Sequence, residues 1–259
     1  MCEKWYRLEE PMYEKIQIPL LSLADICARI CEQTGAEIIR HGESYITYAT
    51  PGFLYARNFI LKATESELEA ILKEIADGLP KGLPGSISFT EALLPENYAE
   101  IFERCGFQRF ISQTGMIFDM DHGFDETVNE NISVMKDDQI VDWSLKVSEG
   151  FPKPREDLPF IELNKRDDVI TYAYMKGGQI ASTGMLLIDP ELSGIHEVST
   201  LSPFRGQGQG SAIILRMLQD LKERGIKSVS LQASDLGKKI YTPIGFETVS
   251  IIPTWIPAG

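Results

Sequence analysis

The sequence predicts a mixed α/β fold made of two related halves. Three observations lead to this prediction: helical and strand-like hydrophobic patterns alternate along the second half, a polar acidic stretch interrupts them near the midpoint, and motifs of the second half recur in the first. The polar stretch is 121–131, and it divides the chain into predicted domains 1–125 and 126–259. With 43% hydrophobic and 24% charged residues, the chain can bury the core of one large domain or of two smaller ones.

The elements of the second half follow from hydrophobic periodicity and from turn residues. Their predicted order is β-α-β-β-β-α-β-α-β. Gly177 and Gly178 suit a tight hairpin between two of the strands, and Gly225 stops the helix that starts at Gln209. The predicted strands are 132–135, 168–175, 180–188, 194–201, 228–231 and 247–252, and the predicted helices are 138–149, 209–224 and 236–243.

Three segments of the first half repeat the end of this pattern. The segment 64–67 has the Thr-x-x-Glu residues of a capping box and starts a helix that Gly78 stops. A predicted strand at 86–89 follows, and 101–107 then aligns with 240–246, because both end in Gly-Phe. The similar spacing predicts a tandem duplication of one fold.

The composition argues against several classes of protein. No apolar run is long enough to span a bilayer, and charges stand in 1–10 where an export signal needs apolar residues, so we expect a cytoplasmic protein with no membrane partner. The net charge of −13 disfavours nucleic acid and suits a cationic acceptor, although acidity can also serve solubility alone. Neither a disulfide framework nor a metal site is predicted from the four cysteines, Cys2, Cys27, Cys31 and Cys105.

Glycines alternate in the segment 204–211, which joins a predicted strand to a predicted helix. Gly206, Gly208 and Gly210 let backbone N–H groups approach a ligand, and the start of a helix favours an anion such as pyrophosphate. A dinucleotide fingerprint would need a third glycine where Ser211 stands, and a nucleoside triphosphatase loop would end in Gly-Lys-Ser/Thr. The remaining alternative is a simple tight turn, for which three glycines beside an arginine are more than is required.

Two motifs of the second half resemble those of the GCN5-related N-acetyltransferase (GNAT) family. The Arg/Gln-x-x-Gly-x-Gly/Ala signature of the family is met by Arg205, Gly208 and Gly210, and its Tyr-x-x-x-Gly-Phe segment is met at 241–246. The resemblance covers about half of the chain, from near Ile132 onward. It implies that both halves are acyl-CoA N-acyltransferase (GNAT-like) domains, each with a mixed, mostly antiparallel sheet flanked by helices.

The resemblance also implies a donor site for acetyl-CoA that needs no metal. The N–H groups of 207–211 would bind pyrophosphate, and 198–200 would pair with the pantetheine arm as another strand would. The thioester would then lie between the fourth and fifth strands of the domain, which splay apart in this family. Ser234 stands where many members have an asparagine that contacts the cofactor. The implied donor-binding residues are Val198, Ser199, Thr200, Arg205, Gly206, Gln207, Gly208, Gln209, Gly210, Ser211 and Ser234.

Two side chains are candidates for proton transfer in the implied reaction, the attack of a primary amine on the thioester. Glu197 precedes the loop and is either the base or an ordinary strand carboxylate. Tyr241 is either the acid that protonates the departing thiolate or a core aromatic residue beside Phe246. Period-two alternation turns His196 to the other side of the strand, where packing is its expected role.

The first half lacks these features. The segment 55–62, where the phosphate loop would stand, has no glycine, and Phe102 replaces the tyrosine. We expect a degenerate copy that binds no coenzyme A. Its expected role is structural, or it walls an acceptor pocket that Trp143, Phe151 and 152–155 also line.

The sequence leaves three functions open: an N-acetyltransferase acting on a primary amine of a small molecule or peptide, a non-catalytic acyl-CoA binding or sensing module, and a transferase of another acyl or aminoacyl group. Retention of Tyr241 argues against the second, and the acidic chain argues against aminoacyl-tRNA. The oligomeric state is open too. Thirteen residues after Phe246 are short for two final strands, so the second strand is expected to be missing, or to be supplied by the other half or by a second subunit in a homodimer.

Overall fold

The computed structural model of the chain describes residues 15–41, 43–49, 56–78, 85–126, 129–151 and 158–259. No α-helix within these ranges is long and apolar enough to span a lipid bilayer. The α-helices are α1 (Ile18–Thr34), α2 (Glu65–Gly78), α3 (Tyr98–Arg104), α4 (Gln139–Gly150), α5 (Leu158–Leu163), α6 (Gln209–Glu223) and α7 (Asp235–Ile244). The strands are β1 (Glu37–His41), β2 (Tyr45–Ala49), β3 (Ala56–Ile60), β4 (Gly85–Phe89), β5 (Phe107–Asp119), β6 (Ile132–Met135), β7 (Val169–Lys176), β8 (Gln179–Leu187), β9 (Gly194–Thr200), β10 (Ser228–Ala233) and β11 (Glu247–Pro257).

The described strands join one sheet in the order β1-β2-β3-β4-β11-β5-β10-β9-β8-β7-β6. Both ends of the sheet have the same internal plan. In the first half, β1, β2 and β3 are antiparallel neighbours and β3 then runs parallel to β4. In the second half, β7, β8 and β9 are antiparallel neighbours and β9 then runs parallel to β10. The sheet is therefore mixed and mostly antiparallel, as expected.

The two halves exchange their last strands at the centre of the sheet. β11 of the second half lies between β4 and β5 of the first, and β5 of the first half lies between β11 and β10 of the second. The central pair β5 and β11 is antiparallel and runs from Phe107 opposite Pro257 to Ile117 opposite Glu247. Of the three predicted alternatives, the structure shows supply by the other half, since the segment after Phe246 forms the single strand β11 and pairs with β5.

Helices cover both faces of the sheet because its strands alternate in side-chain direction. Met185 and Leu187 pack in one core with α1, α4 and α5, and Leu186 between them packs in a second core with α6 and α7. In the first half, Phe59 belongs to the α1 core and Ile60 to a third core with α2 and α3. Burying each such side chain contributes about 1.5 to 3 kcal/mol. We call the side covered by α1, α4 and α5 the α1 face.

Helix α1 of the first half crosses onto strands of the second half. Gln232 on β10 donates from Nε2 to the carbonyl oxygen of Pro19 at 2.6 Å. At the other end of the helix, the buried Arg29 guanidinium bonds Asp25 at 2.8 Å, contacts Asp168 and lies 3.6 Å from Asp189. Ion pairs of a buried arginine with carboxylates from the second half thus fix α1 against the turn that leads into β9.

Most predicted elements of the second half agree with the structure. β6 has the predicted bounds, and the hairpin turn is confirmed by the positive φ angles of Gly177 (58°) and Gly178 (79°). The short helix α5 is absent from the prediction because six residues give too little helical periodicity. Cys2, residue 55 and the 152–155 loop lie outside the described residues, so the roles expected of them are not seen.

Candidate functional site

A gap opens between β9 and β10. These parallel strands pair at one position, Ser230 opposite Gly194, where the Ser230 N–H bonds the Ser193 carbonyl at 3.0 Å. Beyond Gly194, β9 has no strand neighbour on that side among the described residues. The backbone of 198–200 therefore borders the gap, and an extended ligand could pair with it as a strand does.

A β-bulge at Glu197 shapes this edge. Glu197 has a φ of 51°, rare for a residue with a side chain, and Thr183 Oγ1 donates to its carbonyl oxygen at 3.0 Å. Opposite β8, the register shifts by one residue between His196 and Ser199. Both of these side chains lie on the α1 face, because Ser22 of α1 is 3.5 Å from the His196 ring and Ser199 lies against α4.

The bulge corrects the alternation argument for His196. The sequence prediction assumes a regular strand, whereas Glu197 is the extra residue that breaks the period. His196 is nonetheless buried beside Ser22, in agreement with the packing role. Glu197 is half-buried and lies at the strand edge where the gap opens.

Close packing of α4 and hydroxyl contacts hold the edge of β9 in place. A Cβ added to Gly150, the last residue of α4, would lie 2.1 Å from Ser199 Oγ, so only glycine fits there. Thr183 Oγ1 and Ser199 Oγ are 3.2 Å apart, and Ser182 Oγ donates to Thr200 Oγ1 at 2.8 Å. These side-chain contacts with β8 leave the opposite backbone edge of β9 facing the gap.

The glycine-rich loop after β9 ends in a helix terminus without a side-chain cap. Gly206 (φ 74°) and Gly208 (φ 84°) adopt the left-handed conformation, which residues with a Cβ rarely take. Gly208 is the N-cap of α6. No side chain caps this helix start by a hydrogen bond, and the first turn has no acidic residue. A Cβ added to Gly206 or Gly208 would meet nothing within 4 Å. The loop therefore presents unpaired N–H donors of 209–211 to open space, as anion binding requires.

Gly210 and Arg205 join this loop to its surroundings. A Cβ on Gly210 would be 3.6 Å from Thr200 Oγ1 and 3.9 Å from Ile240 Cδ1, so the start of α6 lies beside both β9 and α7. Arg205 donates from Nε to the Thr200 carbonyl at 2.9 Å and from Nη2 to the Gly150 carbonyl at 3.2 Å. The guanidinium thus ties the loop to β9 and α4.

The glutamines of the loop bond to each other. Gln207 donates from Nε2 to the Pro203 carbonyl at 3.3 Å, and its Oε1 accepts from Gln209 Nε2 at 3.4 Å. Lys176, at the end of β7, also donates to Gln207 Oε1. The sequence prediction missed Lys176; the paired glycines that follow it were the available signal, since a tight hairpin carries its side chain to the loop.

Tyr241 and Ser234 both lie on α7. Tyr241 is buried against Phe246, with ring centroids 5.7 Å apart, and burial raises the pKa of its hydroxyl to about 12. Ser234 caps α7, accepting at Oγ from the Gly237 N–H at 3.1 Å. Since a Cβ added to Gly210 would lie 3.9 Å from Ile240 Cδ1, the helix that carries the tyrosine adjoins the loop.

The equivalent region of the first half is closed. β3 and β4 pair along their whole length, from Ala56 opposite Gly85 to Ile60 opposite Phe89, and leave no gap. The predicted placement of the phosphate-loop counterpart at 55–62 is wrong, because 56–60 is strand β3 and the connection to α2 is 61–64. This connection also has no glycine.

The helix start and the aromatic residue of the first half differ as well. The Glu67 carboxylate accepts from the Thr64 N–H at 2.8 Å and the Thr64 hydroxyl at 2.7 Å, so it occupies the start of α2. The pKa of the Glu67 carboxyl is lowered, and the hydrogen bond from the Thr64 backbone N–H is the largest cause. Phe102 is fully buried and has no hydroxyl.

A splayed parallel strand pair, a glycine-rich helix start and flanking helices on a mostly antiparallel sheet define the fold of the acyl-CoA N-acyltransferases. Residues 137–241 match the model of the acetyltransferase (GNAT) family. No curated protein matches the sequence. Within the described residues, no group of three or more His, Cys, Asp or Glu side chains is placed to hold a metal ion.

Solved structures with this fold align with nearly the whole length of the chain. A GCN5-related N-acetyltransferase from Kribbella flavida has a TM-score of 0.68 at 14% identity, covering 91% of this chain and 95% of its own. One from Sphaerobacter thermophilus has a TM-score of 0.61 at 14% identity, covering 93% and 92%. A tandem GNAT protein from the clavulanic acid biosynthesis pathway has a TM-score of 0.53 at 14% identity, covering 83% and 78%.

Proposed function

We propose that this protein is an N-acetyltransferase that transfers an acetyl group from acetyl-CoA to a primary amine of a small molecule or peptide. The observation that carries the proposal is the uncapped start of α6 beside the open edge of β9. Its N–H donors suit the pyrophosphate of coenzyme A, and 198–200 suit the amides of the pantetheine arm. When bound, the donor supplies an activated thioester carbonyl.

Two side chains of the chain move protons in this proposal. A primary amine with a pKa near ~10.4 is mostly protonated at pH 7, and removing the proton costs about 4 to 5 kcal/mol. Glu197 at the bulge accepts this proton, directly or through water. The Tyr241 hydroxyl, kept protonated by its raised pKa, donates to the thiolate that leaves.

The proposal includes two domains, 1–125 and 126–259, and a single donor site per chain, which lies in the second domain. The first half has a closed strand pair, a helix start filled by Glu67 and a phenylalanine at the tyrosine position. It therefore binds no coenzyme A and supplies β5 and α1 to the second half. The net charge of −13 suits a cationic amine acceptor and a cytoplasmic enzyme that does not bind nucleic acid.

Calorimetry with coenzyme A and acetyl-CoA tests the donor site. Gly208→Glu places bulk and negative charge in the loop, and Gly225→Glu is its matched control. Gly225 has a comparable φ of 71° and open space around it, but it lies at the far end of α6. We expect one site per chain in the wild type and in Gly225→Glu, and loss of binding in Gly208→Glu.

An amine screen follows with the same proteins. Release of free thiol that depends on an added amine, and that falls in Glu197→Gln, supports the transferase. Donor binding without turnover on any amine would favour a non-catalytic acyl-CoA binding module, and no wild-type binding of either donor would contradict both functions.

A further inference from the structure

A cationic side chain beside the pyrophosphate would add to the N–H donors of the loop, and the signature arginine already makes hydrogen bonds within the chain. The two phosphates that link pantetheine to adenosine carry negative charge at neutral pH, and a positive side chain stabilises them more than a neutral donor does. The guanidinium of Arg205 instead bonds the carbonyl oxygens of Thr200 and Gly150. Its Nε and Nη2 donors are used to fix the loop, so a cation from another element would strengthen the positive charge beside the anion site.

The β7–β8 hairpin brings Lys176 to the loop from a different part of the chain. Lys176 pairs with Gln179 as the last residue pair before the turn. Gly177 and Gly178 both have positive φ angles, which makes the tightest type of hairpin and fixes where the strand ends. Lys176 is a cationic residue from outside the loop, and its ammonium group contacts the loop at Gln207 Oε1.

Gln207 holds this ammonium group at the edge of the anion site. Its Nε2 is bonded to the Pro203 carbonyl and its Oε1 accepts from Gln209, so the amide oxygen has a fixed direction. Gln209 is itself 3% exposed. A neutral amide oxygen is a weaker partner for an ammonium group than a phosphate oxygen is.

We infer that Lys176 is a donor-binding residue whose ammonium group moves from Gln207 Oε1 to a pyrophosphate oxygen of coenzyme A. The inference rests on the proposed function, because it assigns a further residue to the same donor site. Lysine binds phosphate as a point charge on a flexible chain, so a short side-chain rotation suffices for the exchange. The hairpin then determines donor affinity although it lies outside the signature loop.

Calorimetric titration of the full chain with coenzyme A and with dephospho-coenzyme A tests this role. Both ligands have the pyrophosphate, but only the first has the 3′-phosphate. Lys176→Met is expected to weaken the binding of both ligands by about tenfold, which corresponds to roughly 1.4 kcal/mol. Lys176→Arg is expected to restore most of the affinity. Lys165→Met is the matched control, since Lys165 is exposed, pairs with Glu162 and is distant from the loop in the chain.

The results separate this inference from the proposed function. Wild-type binding that Lys176→Met weakens no more than Lys165→Met overturns the role of Lys176 and leaves the proposed function intact. A loss confined to coenzyme A places the lysine at the 3′-phosphate and overturns the pyrophosphate assignment. Absence of wild-type binding overturns the proposed function itself.

Discussion

Two connections from strand to helix, β3 to α2 and β9 to α6, occupy equivalent places in the two halves but have opposite properties. At the first, the Glu67 carboxylate bonds the N–H and hydroxyl of Thr64, so the positive end of α2 is neutralised from within. At the second, Gly208 caps α6 without a side chain, and no acid stands in the first turn. A helix start is thus a site for an external anion only where the chain leaves it unfilled.

The strands beneath these connections differ in the same sense. β3 and β4 pair at five positions, whereas β9 and β10 pair at one. Complete pairing stabilises the first half and removes the backbone edge on which a ligand could bind. The unpaired edge in the second half exposes polar backbone groups, which a ligand with amide groups can satisfy. The proposed donor site thus lies where backbone groups of the second half have no strand partner within the described part of the chain.

Separating the halves has the largest expected effect. Expressed alone, 126–259 lacks β5 between β10 and β11, and 1–125 lacks β11 between β4 and β5. We expect neither fragment to unfold cooperatively in circular dichroism, since both would expose apolar strand edges. Co-expression of the two fragments should restore a folded complex. A folded, coenzyme A-binding 126–259 fragment would show that the strand exchange is dispensable.

The next largest effect is expected at the buried ion pairs between the halves. Arg29→Met leaves carboxylates of Asp25 and Asp189 buried without their cation, which costs about 3 to 5 kcal/mol. Arg104→Met removes an exposed pair with Glu69 and is expected to cost less than about 1 kcal/mol. Urea denaturation of both variants measures the difference. Equal midpoints would mean that the Arg29 contacts do not hold the halves together.

Exchanging the aromatic residues of the two halves sharpens the comparison further. Tyr241→Phe is expected to lower kcat by about 10- to 100-fold without changing coenzyme A affinity, because the general acid is lost. Since the Tyr241 pKa is raised to about 12, the wild-type kcat should show no loss of this proton below about pH 10. The reciprocal Phe102→Tyr buries a hydroxyl without a partner and should cost about 1 to 3 kcal/mol while adding no activity. An unchanged kcat in Tyr241→Phe would reject the acid role.

The smallest expected effect is at the filled helix start. Thr64→Ala removes one hydroxyl bond to Glu67, so stability should fall slightly, with no change in coenzyme A affinity. The lowered pKa of Glu67 means that its contribution is present at neutral pH and is lost as acid protonates the carboxylate. Thermal unfolding of wild type and Thr64→Ala at neutral and acidic pH measures both. A variant more stable than wild type would contradict the contribution of this bond.

Local signals in the sequence predicted the elements around the site. Gly177 and Gly178 marked the hairpin, the glycines from Gly206 to Gly210 marked the loop, and alternation marked β6 to β9. Each of these signals depends on backbone conformation or on a nearest-neighbour period, so a short stretch of sequence contains it. The predicted end of the last strand at residue 252 was too early, because Pro253 suggests a stop although β11 continues to Pro257.

Two features of the site that depend on distant contacts were not predicted. The bulge at Glu197 follows from the register between β8 and β9, and no residue type in 196–199 signals it. The engagement of Arg205 with the Gly150 carbonyl requires the end of α4, 55 residues earlier in the chain. Period and composition describe one segment at a time, whereas these features arise when two segments meet.

The central strand exchange also constrains how the protein can fold while it is being made. Translation delivers the chain from its amino end, and domains usually fold as they emerge from the ribosome. Here β5 appears early, but its partner β11 begins at Glu247, and Phe107 pairs with Pro257. The early half must remain with an open strand edge while the chain from Asp119 to Glu247, about half of its length, is made. We expect nascent chains stalled before Glu247 to depend on chaperones, and the native sheet to close only when β11 has left the ribosome.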